Sequence, residues 1–180
     1  MLAGARANRA PDGGESYVKN ERWVAVGGLA VILGLAFGLS AAQESKPDLS
    51  GEWKLNVEKS DFGQLPGPKS RTDKINHKEP DLKINRTTVT QADQTFASEW
   101  NCITDGKECS NEIPGGVVLK STAKWDGEAL AVDSKGTFGQ GEVQIKDRWT
   151  LSKDGKTLTI ARHLISEMGE ADQTFILDKQ

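Results

Sequence analysis

The sequence predicts an all-β fold: an antiparallel up-and-down β-barrel of eight to ten strands, preceded by an N-terminal signal or anchor helix. Three observations carry this. Beyond residue 50, short β-like runs succeed one another, with turn residues about every 8–12 positions. Within the runs, apolar and polar side chains alternate with period two. No stretch of ten or more residues there carries a helical apolar stripe. A meander of half-apolar strands loses its exposed edges by closing on itself, which favours a barrel; a two-sheet sandwich is the alternative.

The first element is not part of the barrel. Residues 23–42 carry no charge, Lys19 and Arg22 precede them, and the stretch ends in Ser40-Ala41-Ala42, a small-residue cleavage pattern. This reads as a secretory signal. An uncleaved anchor is the rival, since about 20 apolar residues span a bilayer. The division is therefore 1–42 as signal peptide or membrane anchor and 43–180 as the β-barrel domain. The expected location is secreted or periplasmic after cleavage near Ala42, or membrane-anchored with the domain outside the cytoplasm. The 22 residues ahead of the apolar run are long for a leader, and Val18 is a candidate true initiator.

The predicted strands are 51–56, 71–77, 82–89, 95–103, 108–110, 117–125, 129–137, 142–151, 157–165 and 173–177. Turn chemistry separates them: Glu79-Pro80-Asp81, Asp105-Gly106, Pro114-Gly115-Gly116, Asp126-Gly127, Gly139-Gln140-Gly141, Asp154-Gly155 and Met168-Gly169. Residues 57–70, with two Pro and two Gly, form the one long irregular stretch, expected to hold a helical turn or to cross a barrel mouth. Ala-Asp-Gln-Thr-Phe occurs at 92–96 and again at 171–175; the flanks differ, so it is read as two similar strand starts.

Register arithmetic gives the sharpest expectation. A tight turn at Asp154-Gly155 pairs Leu151 with Leu158, Trp149 with Ile160 and Ile145 with Leu164. It also sets Asp147 opposite Arg162, the two charges that interrupt otherwise apolar faces. A one-residue slip would put apolar faces against polar ones, so the pattern pins this register. The pair is either an internal ion pair or a ligand-facing arginine oriented by its aspartate; Arg86, on the face of Leu82 and Ile84, adds a second inward arginine. The same arithmetic at Asp105-Gly106 sets Cys102 opposite Cys109, which predicts a disulfide staple.

Composition and motifs exclude more than they assign. The net charge is −3 with no basic tail, which argues against nucleic acid. The two histidines, His77 and His163, have no metal-spaced neighbours. No phosphate loop and no nucleophile elbow is present, so no catalytic residue, metal or cofactor is assigned and the chain is read as a non-enzyme.

Ser50-Gly51-Glu52-Trp53 resembles the G-x-W signature of lipocalins and the wider calycin group. "SGEWKLNVEKSDFG", "STAKWDGEAL" and "DRWTLSKDGKTLTI" resemble a poorly characterised group of secreted bacterial proteins with lipocalin-like barrels, over residues 48–179. The resemblance implies an up-and-down barrel with an apolar cavity. It also gives Arg162 a competing structural role, stacking on Trp53, with Gly51, Trp53 and Asp147 structural beside it. The only Tyr is Tyr17, so the Arg-Tyr carboxylate clamp of fatty-acid-binding proteins is incomplete. The leading expectation is a monomeric barrel binding a small apolar or amphiphilic molecule. Its lining would be Trp100, Leu119, Trp125, Ile145, Trp149 and Ile160, with Arg86 and Arg162 as anion contacts. Membrane contact is expected only through an uncleaved N-terminal segment. The second expectation is a ligand-free interaction module of the cell envelope. Cavity volume separates them, since ligand sites start near roughly 300 Å³.

Overall fold

Ten strands follow one another without an intervening helix in the computed structural model, which describes residues 46–180. The signal-or-anchor reading of residues 1–42 lies outside the described residues. The strands are β1 (Gly51–Leu55), β2 (Ser70–Lys78), β3 (Asp81–Val89), β4 (Thr95–Ile103), β5 (Asp105–Ile113), β6 (Val117–Asp126), β7 (Ala129–Phe138), β8 (Gly141–Leu151), β9 (Thr157–Ser166) and β10 (Gly169–Lys179). They form one sheet in the order β4-β3-β2-β1-β10-β9-β8-β7-β6-β5, every neighbouring pair antiparallel. The first and last strands pair with each other, and β4 and β5, consecutive in the chain, become the two facing edges. The result is an up-and-down barrel closed except at one joint.

The hairpin arithmetic holds. β8 and β9 pair Leu151 with Leu158, Trp149 with Ile160, Asp147 with Arg162 and Ile145 with Leu164. The turn spans four residues rather than two: Ser152 N–H donates to Thr157 O and Gly155 N–H to Ser152 O, each at 2.8 Å. It stays centred on the same dipeptide, so the register is unchanged. Gly155 has φ +68°, a left-handed conformation that glycine adopts without steric cost.

Two strands are longer than expected. β5 has few apolar side chains, so periodicity is nearly silent there, and its extent comes from the ladder with β6. β10 gains its first residues, Gly169 and Glu170, from the tight hairpin with β9. Residues 56–69 contain no helix. They run beside β10, where Asp61 and Thr174 exchange backbone hydrogen bonds of 2.7 and 2.8 Å, and Phe62 packs edge-on against Phe175 at 5.7 Å. The repeated pentapeptide has two fates: Phe96 is exposed at the start of β4, while Phe175 is buried in β10.

One end of the barrel is filled. Leu49, Trp53, Leu82, Ala123, Leu130, Leu158 and Leu177 are all 0–1% exposed and lie where strands meet the turns at 79–80, 104, 127–128 and 152–156. The other end carries the segment 56–69 and the turns at 90–94, 114–116, 139–140 and 167–168. There the inward residues Ile113, Val117, Val143 and Leu164 are only half-buried.

Candidate functional site

The G-x-W segment builds the closed end. Trp53 is fully buried, and its indole N–H donates to Leu49 O at 2.9 Å. Gly51 has φ +137°, and a Cβ there would stand 2.7 Å from Lys179 Cε. Glycine thus makes room for the Lys179 side chain, whose Nζ lies 5.2 Å from the Trp53 ring centroid. The cation over Trp53 is Lys179, which the β1–β10 ladder places opposite it. Arg162 does not reach Trp53, which corrects the role implied by the lipocalin resemblance.

His77 and Glu79 tie the lead segment to this end. Leu49 N–H donates to His77 Nδ1 at 3.2 Å, leaving Nε2 to donate to Glu79 at 2.8 Å. Glu79 also accepts from Thr104 Oγ1 at 2.7 Å and from Trp125 Nε1 at 2.5 Å. Burial raises the Glu79 carboxyl, but these hydrogen bonds outweigh it and hold the group below its ordinary value. His163 points outward and meets Asp172 at 2.7 Å.

Toward the open end the interior turns charged. Asp147 accepts a two-pronged contact from Arg162, Nε and Nη2 each at 2.8 Å. A second cluster forms between β2 and β3. Asp73 accepts from Arg71 at 2.9 and 2.5 Å and from Arg86 at 2.9 and 2.9 Å. Both Arg71 and Arg162 lie over the Phe175 ring, at 5.4 and 5.1 Å, so one aromatic ring joins the two clusters. Burial would push the Asp73 carboxyl up, but the Coulomb attraction of Arg71 and Arg86 and their hydrogen bonds hold it far below the carboxylate range. Burial disfavours the charge on Arg162, but Asp147 more than offsets this and raises its pKa. The layer holds three arginines against two aspartates, a surplus of one positive charge. Asp73 is fully buried, whereas the Arg86 and Arg162 side chains are 27% and 21% exposed.

Arg86 and Arg162 line two spaces. Beneath them is an interior cavity of about 70 Å³, bounded also by Trp100, Leu119, Ile145, Trp149 and Ser134. Above is an open cleft of about 540 Å³, floored by Arg71, Arg86, Arg162 and Phe175 and walled by Pro66–Pro68 and Gln91. The interior cavity has room for a few waters, at about 30 Å³ each. Of these two spaces, the cleft is the one of ligand size. Of the eight residues expected to line a pocket, six border the interior cavity. Ile160 is 1% exposed within the packed core, and Trp125 sits at the closed end on Glu79, so neither lines it. Both have the expected inward parity; Trp125 lies too close to the closed end, while Ile160, level with Trp149, is covered by the packed core. Trp149, 4% exposed, has an indole N–H with no partner.

Arg71 and Asp73 escaped the sequence reading. They share the parity of Ile75 and His77, which are buried in the same strand.

The joint between β4 and β5 has no backbone ladder. The Cys102–Cys109 disulfide crosses it, with Cα atoms 5.4 Å apart. The Asn111 carboxamide substitutes for a missing strand partner: its Oδ1 accepts from Asn101 N–H at 2.7 Å and its Nδ2 donates to Asn101 O at 3.2 Å. The cysteines thus staple a seam rather than a paired hairpin.

No protein-family model matches the chain, and neither does any curated protein. Solved structures do. The zebrafish ileal bile acid-binding protein complexed with cholic acid aligns with TM-score 0.50 and 16% identity, over 73% of this chain and 98% of that one. The REP1-NXSQ fatty acid transporter aligns with TM-score 0.50 and 20% identity, over 74% and 96%. A secretary abundant heat soluble (SAHS) protein from Ramazzottius varieornatus aligns with TM-score 0.53 and 14% identity, over 73% and 94%. With ten antiparallel strands wound in sequence order and one joint left open, the chain has the fold of the calycin-type β-barrels.

Proposed function

We propose that this barrel binds one small amphiphile at its open end, with an anionic group against Arg86 and Arg162 and an apolar part in the cleft over Phe175. The observation that carries the reading is the surplus positive charge, partly exposed at the floor of a cleft of ligand size. The arginine forks are spent on aspartates, yet Arg71, Arg86 and Arg162 all line the cleft, whose walls hold no carboxylate. An acceptor in the interior cavity would also satisfy the unpartnered Trp149 N–H. Two of the barrels sharing this fold are a bile acid-binding protein and a fatty acid transporter, which supports a carboxylate amphiphile. The proposed setting is outside the cytoplasm, after cleavage near Ala42 or on an N-terminal anchor. The apolar run at 23–42 and the disulfide support it.

The small interior cavity favours a second reading, a filled barrel that serves as an envelope interaction module. One experiment separates the two. The protein is purified from its own host, weighed by native mass spectrometry, and titrated with decanoate and with decanol. A bound anionic amphiphile, or decanoate binding at least about tenfold tighter than decanol, is expected, since a charge-assisted contact contributes about 1.5–3 kcal/mol. Empty protein with no preference between the two would leave the second reading.

A further inference from the structure

Six large apolar side chains are exposed among the described residues: Val57, Leu65, Phe96, Val118, Phe138 and Met168. Five of them lie at the open end; Val57 sits lower, next to Asn56, which bonds Ile176 and Asp178. Val57 and Leu65 belong to the segment 56–69, Phe96 and Val118 are the second residues of β4 and β6, Phe138 ends β7, and Met168 occupies the β9–β10 turn. None of the closed-end turns carries one. Single exposed apolar residues are ordinary on a protein surface. Five at one end, on five separate chain segments, are not scattered. Met168 is 96% exposed, at the tip of its hairpin.

We propose that this rim docks the open end on a lipid surface, and on a neutral one. The apolar groups stand on separate tips rather than on one flat patch. Separate tips suit a soft phase into which each sinks on its own, more than a rigid protein face that must match all of them. The charges around the same residues disfavour an anionic surface: Lys59, Lys69, Lys120 and Lys135 are outnumbered by Glu58, Asp61, Asp93, Glu142, Glu167 and Glu170. Adhesion therefore comes from apolar burial and not from a basic patch. The rim and the cleft occupy the same end of the barrel, so an amphiphile would pass between bilayer and barrel without a long path through water. That passage rests on the binding reading above; the docking does not, and its test contains no ligand.

The test is hydrogen exchange of the full chain with and without phosphatidylcholine vesicles, read by segment so that binding through residues 23–42 is seen separately. Exchange at 62–66, 94–97, 116–119, 137–141 and 166–170 is expected to slow severalfold with vesicles, while 126–129 and 152–156 stay unchanged. The combined Phe96→Ser, Phe138→Ser, Met168→Ser variant is expected to lose this protection, with about tenfold or more weaker protection per unit lipid. Met168→Ser alone, at a fully exposed tip, keeps the test valid should the triple variant misfold; it is expected to lose protection at 166–170. Three results would overturn the proposal. They are unprotected tips, protection that grows with protein concentration without vesicles (a second copy), and protection seen only with phosphatidylglycerol.

Discussion

The two ends of this barrel are made by the same alternating strands, yet they are filled in opposite ways. At the closed end, inward positions carry Trp53, Leu82, Leu130, Leu158 and Leu177, all fully buried. Toward the open end, inward positions carry Arg71, Asp73, Arg86, Asp147 and Arg162, above which the wall residues are half-buried and the rim is apolar. Stability is thus concentrated where the chain can exclude water completely. The open end keeps a charged floor, held in place by two-pronged ion pairs and one aromatic ring. The difference teaches that a barrel can separate holding itself together from presenting a surface, using one strand pattern for both.

Substitutions at the two ends should sharpen this contrast. The largest effect is expected from Trp53→Ala, which empties the plug and frees Lys179 and Leu49 O; it should cost near the top of about 3–5 kcal/mol in denaturant unfolding. The next is Asp73→Asn, which leaves two arginines facing each other around a neutral amide, at about 3 kcal/mol. Because the Asp73 pKa is depressed by folding, its contribution is fully present above the unfolded value of about 3.9 and is lost as pH falls below it. The melting temperature of the parent chain should therefore drop on acidification below about pH 4, and the Asp73→Asn variant should show a shallower drop.

Replacing both cysteines by serine removes the staple at the β4–β5 seam. The closed loop is short, so a loss of about 2 kcal/mol is expected, with faster hydrogen exchange confined to 99–113. The smallest effect belongs to the rim: Phe96→Ser should change unfolding free energy by no more than about 0.5 kcal/mol, because the ring is 41% exposed already. A cost there as large as that of Trp53→Ala would abolish the distinction between the ends.

Much of the fold was legible because the signals were local. Each of the ten strands is marked by two-residue alternation or by flanking turns, and the β8–β9 register follows from a single turn position. The candidate site was legible in half. Asp147 and Arg162 stood out as charges on apolar faces. Arg71 and Asp73 did not, because Thr72 and Lys74 between them are polar too, and a strand polar on both sides shows no period. Trp125 has the expected face at the wrong depth, since parity reports which side a residue faces and not how far along the barrel it sits; Ile160 has the expected face and height but is packed over by its neighbours.

The sequence by itself determined the strands, their faces and the β8–β9 register, since each depends on residues near one another in the chain. Only the tertiary structure decided which arginine meets which ring, that Lys179 and not Arg162 covers Trp53, and that β4 and β5 face each other without a ladder. Those outcomes depend on strand stagger around a closed sheet. Stagger is set when the first and last strands join, and no local stretch of chain encodes it.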